Sequence, residues 1–384
     1  QGFNAADISK TAFGRGEMAN VTALATWIAA ESKGLKFNLS QSHAQEKTFY
    51  EVGKRLFFQR GGTHDFSCAS CHGEEGKRIR LQDLPILTKN PGDGVGFAAW
   101  PAYRVSNGQM WSMQLRLNDC YRQQRFPYPG FGSDATVALS TYLGVNAKGA
   151  ASIAPAIKRW SDQEILMNKK TQLRLASLAA ALVAAGCASG PSVAELNDLT
   201  DKIVKASFRD QSHVKVERIT ATDETNRLCS EADVAGKPLD DKTAKRIEEA
   251  NMKAIKWPSD GKFIGDWKQG EVIAQSGRGL TWTDSATAVN GGNCYNCHQM
   301  DKKEISYGTL GPSLYNYGKI RGVSNPDDPA SKAIVEYTWG KIWNSKAYNA
   351  CSNMPRAGHM GILTETQVRH IVGLLLDPKS AVNQ

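Results

Sequence analysis

The sequence predicts a mainly α-helical chain, with two tandem helical units preceded by the end of a further helical domain. Three observations carry this reading. The pattern Cys-x-x-Cys-His occurs twice, as Cys68-Ala69-Ser70-Cys71-His72 and Cys294-Tyr295-Asn296-Cys297-His298. Each copy follows a short amphipathic helix that carries a glycine, and each unit closes on a second apolar helix.

Residues 17–34 repeat apolar side chains at helical spacing and end on Gly34. A lone helix of that length is marginal in water. The chain opens on Gln1, without an initiator methionine or targeting segment, so residues 1–43 read as the C-terminal remnant of a domain that begins elsewhere. The first full unit spans 44–159. Phe49, Val52, Leu56 and Phe57 give a helix with an apolar face that includes Gly53, and Val137, Leu139, Tyr142 and Leu143 give a closing helix that Ser133 can cap.

The segment 160–187 reads as a linker with a signal-peptide-like core. Met167-Asn168-Lys169-Lys170 is a basic start, Leu175 to Ala185 an apolar run, and Ala184-Ala185-Gly186-Cys187 a small-residue cleavage site. The run is too short to span a bilayer; a buried Ala/Leu-rich helix is the alternative. The arrangement suggests two exported chains joined end to end, in the gene or in its delimitation. Cys187 offers a lipid anchor, with ordinary cleavage nearby as the competing reading. The unit 188–384 repeats the plan of the first after a polar, charge-rich helical extension over 188–262. Trp267, Gly270, Val272 and Ile273 precede the second motif. Thr364-Glu365-Thr366-Gln367 opens a closing helix as a capping box, and Asp377-Pro378 ends it.

Composition sets the class. With 41% hydrophobic and 22% charged residues the chain is ordinary globular protein, not a disordered one. A net charge of +9 suits an anionic substrate or an acidic partner, or simply solubility. No basic block or nucleic-acid module is present, so nucleic acid is excluded as a partner.

The repeated motif carries the chemistry. Two thiols one helical turn apart can form thioethers with the two vinyl groups of haem, and the adjacent imidazole then faces the iron. Zinc knuckles and redox disulfides use Cys-x-x-Cys without that histidine. The sequence therefore predicts two covalent haem c groups, on Cys68, Cys71 and His72 and on Cys294, Cys297 and His298. Downstream of the second, Gly311-Pro312 provides a turn carbonyl for the proximal histidine N–H. Met354, followed by Pro355, is the expected sixth ligand there, with His359 and Met360 as competitors; a thioether raises the reduction potential.

The first unit has no Met-Pro before its last helix. Cys120 stands there instead, within Gln114 to Arg125. It reads as a buried structural thiol, as a disulfide partner of Cys229 or Cys351, or as a reactive centre; Met110 and Met113 are alternative iron ligands. The reactive reading rests on Arg116, Arg122 and Arg125, which would lower a thiol pKa and attract anions. If the segment is helical, Arg116 shares a face with Cys120.

At these residues the chain resembles a known family. Residues 44–159 resemble the catalytic C-terminal half of SoxA, through Phe66 to His72, Trp100-Pro101-Ala102-Tyr103-Arg104, Arg116 with Cys120, and Ala154 to Arg159. Residues 188–384 resemble SoxX, through Cys294 to His298, Gly311-Pro312 and Asn353-Met354-Pro355-Arg356. The resemblance implies two class I-like cytochrome c domains in tandem, with 1–43 as the tail of the other SoxA domain. It implies a periplasmic, haem-dependent L-cysteine S-thiosulfotransferase that joins thiosulfate to a cysteine of the SoxYZ carrier and passes two electrons to a cytochrome c acceptor. Cys120 would then be both distal haem ligand and active-site sulfur, often as a persulfide, and Arg116 would bind the sulfonate. Cys229 and Cys351 are left free to pair, as an oxidising compartment allows. SoxA and SoxX are normally separate chains that dock, so here docking would occur within one chain across the tether, or between two. A plain dihaem electron carrier is the runner-up; a dihaem peroxidase, which needs an open distal site and histidine-rich ligation, is a third.

Overall fold

The computed structural model describes residues 15–88, 95–158 and 190–384. Arg159, the signal-like segment and Cys187 lie outside the described residues. The chain is mainly helical. It begins with α1 (Arg15–Glu31), α2 (Ala44–Phe58) and the motif helix α3 (Cys68–His72), followed by the hairpin β1 (Arg78–Ile79) and β2 (Gln82–Asp83). Strands β3 (Ala102–Arg104) and β4 (Gln109–Trp111) lead into α4 (Met113–Gln123), β5 (Tyr128–Pro129), α5 (Asp134–Asn146) and β6 (Ala156–Lys158). After residue 190 come α6 (Val193–Ser207), β7 (Phe208–Arg209), α7 (Glu224–Ala235), α8 (Asp241–Lys253) and α9 (Trp267–Gln275). The second motif helix α10 (Cys294–Cys297), α11 (Lys332–Trp343) and α12 (Glu365–Leu376) complete the chain. Strands are short; β3 pairs antiparallel with β4 and parallel with β6.

Two helix crossings organise the molecule. In α2 the buried residues are Val52, Gly53, Leu56 and Phe57, the face its periodicity predicts. At Gly53 a Cβ would stand 2.0 Å from the carbonyl oxygen of Ala138 in α5. The second unit repeats this: a Cβ at Gly270 of α9 would stand 2.1 Å from the carbonyl oxygen of His370 in α12. Each crossing fixes the helix that leads toward a Cys-x-x-Cys-His motif.

The two closing helices differ at their starts. Thr364 and Gln367 form the expected capping box on α12, and Asp377 is its C-cap. Ser133 occupies the N-cap position of α5 but makes no side-chain capping bond. Its hydroxyl sits 3.3 Å from that of Thr136, whose own hydroxyl bonds the Ser133 carbonyl.

Two hydrophobic cores result. One gathers Tyr295, Met300, Trp339, Trp343 and the buried face of α12. The other joins Val52, Leu56, Phe57, Tyr121, Leu139 and Tyr142 to Ile203, Val204, Phe208 and Ile219. The polar extension is helical as expected, but its first part packs into the core of the first unit, and β7 pairs with β5. Helix α7 then turns toward the second unit, where Cys229 is disulfide-bonded to Cys351. Leu24, Trp27 and Ile28 of α1 are more than half exposed. Among the described residues no helix is long and apolar enough to cross a membrane.

Alanine is worth about 1 kcal/mol more than glycine within a helix, yet the crossings reverse that sign. Gly53→Ala and Gly270→Ala should each destabilise the protein by about 1–3 kcal/mol through overpacking, read from denaturant unfolding midpoints; a stabilised variant would mean the helices do not meet this closely. The disulfide joins residues 122 apart in sequence. Replacing both cysteines by serine should lower stability by about 2–5 kcal/mol in the same measurement.

Candidate active site

The first motif opens onto a cavity of about 1470 Å³, counting its open mouth. Cys68, Cys71, His72, Arg116 and Cys120 all line it, within apolar walls from Phe57, Leu84, Leu117, Leu139 and Leu143. His72 donates from Nδ1 to the carbonyl of Pro85 at 2.7 Å, which fixes the tautomer and leaves Nε2 as the free ring nitrogen. Burial lowers its pKa to about 4, with the Pro85 carbonyl opposing, so the imidazole is neutral. Burial pushes the thiols of Cys68 and Cys71 each up to about 12. Two thiols beside an oriented, neutral imidazole in an apolar slot fit haem c. Among the described residues no group of three or more His, Cys, Asp or Glu is arranged to hold a bare metal ion. A haem iron needs only axial ligands from the protein.

Cys120 lies on α4, so the helical condition holds and Arg116 sits one turn before it. The electrostatics differ from the sequence expectation. Burial raises the Cys120 pKa; Arg116 opposes this, Asp119 adds to the rise, and Arg104 and Arg122 oppose it. The net direction is upward, because desolvation outweighs the nearby cations. Arg125 plays no such part. Its guanidinium turns away to the carbonyls of Gly279 and Gly277, at 3.2 and 2.7 Å. Asp119 ties Arg116 Nη1 at 3.1 Å and Arg122 Nη2 at 2.8 Å. Met113 lines the cavity as well, whereas Met110 lies in β4 outside its lining.

The second motif sits against the C-terminal core. His298 donates from Nδ1 to the carbonyl of Pro312 at 2.7 Å, the contact expected of the Gly-Pro turn. Only glycine fits at 311, where a Cβ would stand 2.2 Å from the His298 ring. Burial raises Cys294 to about 11 and Cys297 to about 12. Met354 and Met360 both pack on this core together with Cys294 and Leu314. The two motifs meet edge to edge, since Asn296 and Cys297 also line the first cavity.

Sequence reasoning left three contributors unassigned. Asp119 orients Arg116 and was visible as an i+3 carboxylate. Arg104, 5.2 Å from the ring centroid of Trp111, adds charge beside Cys120. Asp65, three residues before the first motif, is buried with Arg356 at 2.8 Å; no local pattern marks that pairing.

No protein-family model matches the chain. A stretch of 159 residues, 41% of the chain, is 50% identical to the L-cysteine S-thiosulfotransferase subunit SoxA of Hydrogenophilus thermoluteolus and covers 58% of that protein. A stretch of 171 residues, 43% of the chain, is 35% identical to an uncharacterized lipoprotein of Aquifex aeolicus and covers 75% of it. Among solved structures, the crystal structure of SoxXA from P. pantotrophus matches 40% of this chain and 57% of that one, with a TM-score of 0.33 and 22% identity. The chain spans little more than half the length of the SoxA relatives it matches. Over that shared stretch the chain is similar to SoxA subunits of L-cysteine S-thiosulfotransferase.

Proposed function

We propose that the chain is a SoxAX-type, haem-dependent L-cysteine S-thiosulfotransferase of the periplasm, with residues 44–159 as a SoxA-like and 188–384 as a SoxX-like cytochrome c domain. The observation that supports this most directly is a single cavity lined by Cys68, Cys71, His72, Cys120 and Arg116. Its substrates would be thiosulfate and a cysteine of the SoxYZ carrier, and its product electrons would go to a cytochrome c.

Cys68, Cys71, His72 and Cys120 would hold haem c in this cavity, and that group would supply an electron-accepting centre. Arg116 offers five N–H donors, of which Nη1 is engaged with Asp119. The remaining donors suit a sulfonate, and such charge-assisted bonds are about twice as strong as neutral ones. Asp119 keeps the guanidinium directed beside Cys120 while buried apolar walls limit water. Net reaction forms one S–S bond between the carrier cysteine and the sulfane sulfur of thiosulfate, releases the thiol proton and yields two electrons. Cys120 would be the active-site sulfur, beside the sulfonate that Arg116 holds. Cys294, Cys297, His298 and Met354 would hold a second haem, and a thioether ligand there would give that centre the higher potential.

A plain electron carrier is the second reading, favoured by Met113 in the same cavity. In that case Cys120 is structural. Electron paramagnetic resonance distinguishes the two, because a thiolate-ligated low-spin haem has a narrow g-spread. Intact-mass measurement of the exported product distinguishes one fused chain from two, and a lipid on Cys187 would add its own mass.

Cys120→Ser should abolish thiosulfate-dependent haem reduction while both haems stay attached by pyridine-haemochrome stoichiometry; full activity would leave only the carrier reading. Arg116→Ala should raise KM for thiosulfate by roughly tenfold or more, the loss of one charge-assisted hydrogen bond, with haem content intact. An unchanged KM would remove Arg116 from the substrate site.

A further inference from the structure

The loop that carries Met354 is held from outside its own unit. Arg60, at the end of α2, donates to the carbonyl of Ser352 at 3.4 Å. Ser70, inside the first Cys-x-x-Cys-His motif, donates to the side chain of Asn353 at 3.2 Å. Asp65, three residues before that motif, accepts two bonds from Arg356, from Nε and Nη2, both at 2.8 Å. Contacts from the first unit thus grip residues 352, 353 and 356, on both sides of Met354.

The Asp65–Arg356 pair is the strongest of these contacts. Its two side chains are 1% and 2% exposed, so solvent does not screen it. The geometry is a fork on a carboxylate, which fixes direction as well as distance. Asp65 itself is pinned by Asn226 at 2.6 Å, and its backbone adopts φ +56°, a left-handed conformation that only surrounding contacts maintain. Arg356 is two residues from Met354, with Pro355 between, so its displacement carries the Met354 backbone with it.

We infer that Asp65 is a positioning residue for Met354: the first unit, through Asp65 and Arg356, sets the reach of the sixth ligand of the second haem. The inference rests on the reading of Met354 as that ligand. The second centre's potential is then a property of the docked pair of units rather than of residues 188–384 alone.

The test uses the full haem-loaded chain. The wild-type ferric protein should show the weak red absorption band of a thioether–iron bond, and Met354→Ala should lose it; absence of that band in wild type overturns the ligand assignment itself. Asp65→Asn and Arg356→Lys should both weaken the band, lower the midpoint potential of the second centre, and raise its affinity for added imidazole by roughly tenfold. Arg55→Ala, which cuts the Arg55–Asn197 contact between α2 and α6 and touches none of residues 352–356, should change none of the three. If wild type has the band and both variants, with native circular dichroism, keep its intensity, the potential and the imidazole affinity, the positioning role is wrong while Met354 ligation stands. If Arg55→Ala shifts them equally, the effect is general loosening and the assignment to Asp65 fails.

Discussion

The molecule depends on a set of buried charges between its two units. Buried Asp65 and exposed Asp223 face Arg356, and Lys346, with no exposed surface, donates to Asn226 at 3.0 Å within the same cluster. Taking such groups out of water is costly, and a buried pair adds little net stability over an apolar one. Removing one partner, by contrast, leaves an uncompensated charge. Burial would push the Asp65 carboxyl up, but hydrogen bonds from Arg356 and the charge of Lys346 hold it below the usual carboxylate range. Burial lowers Lys346 to about 8, opposed by Asp65. The cluster therefore acts as a registration device: it is satisfied in one relative placement of the units and heavily penalised in others.

Around that seam, apolar packing supplies the stability. Tight crossings at Gly53 and Gly270 let backbone meet backbone, and each crossing fixes a motif helix against its core. The histidines of both motifs then bond to prolyl carbonyls at the same 2.7 Å distance. This repetition means that two sequences with little else in common arrive at the same local solution for orienting an imidazole. In the first unit α4 adds Cys120 and Arg116 to the cavity that His72 lines.

Much of this was legible in the sequence because the signals are local. Apolar periodicity gave α2, α9 and α12, and Thr364 with Gln367 announced its cap. Helical spacing also set Arg116 beside Cys120. What sequence reasoning misjudged was environment. Arg125 lies close to Cys120 in sequence, as Arg116 does, yet its φ of +62° turns it to the carbonyls of 277 and 279. Desolvation of Cys120 depends on walls contributed by residues distant in the chain, and no periodicity encodes that. The pairing of Asp65 with Arg356 spans 291 positions for the same reason.

One consequence follows from the extension that leaves the second unit and enters the first. Ile203, Val204 and Phe208 fill a core built on α2 and α5, and β7 completes a strand pair with β5. Produced separately, the first half would expose an oily trough and the second a bare greasy arm. Severing the backbone anywhere between 158 and 190 would leave the halves clasped. The core on α2 and α5 is therefore closed only with residues from beyond position 190.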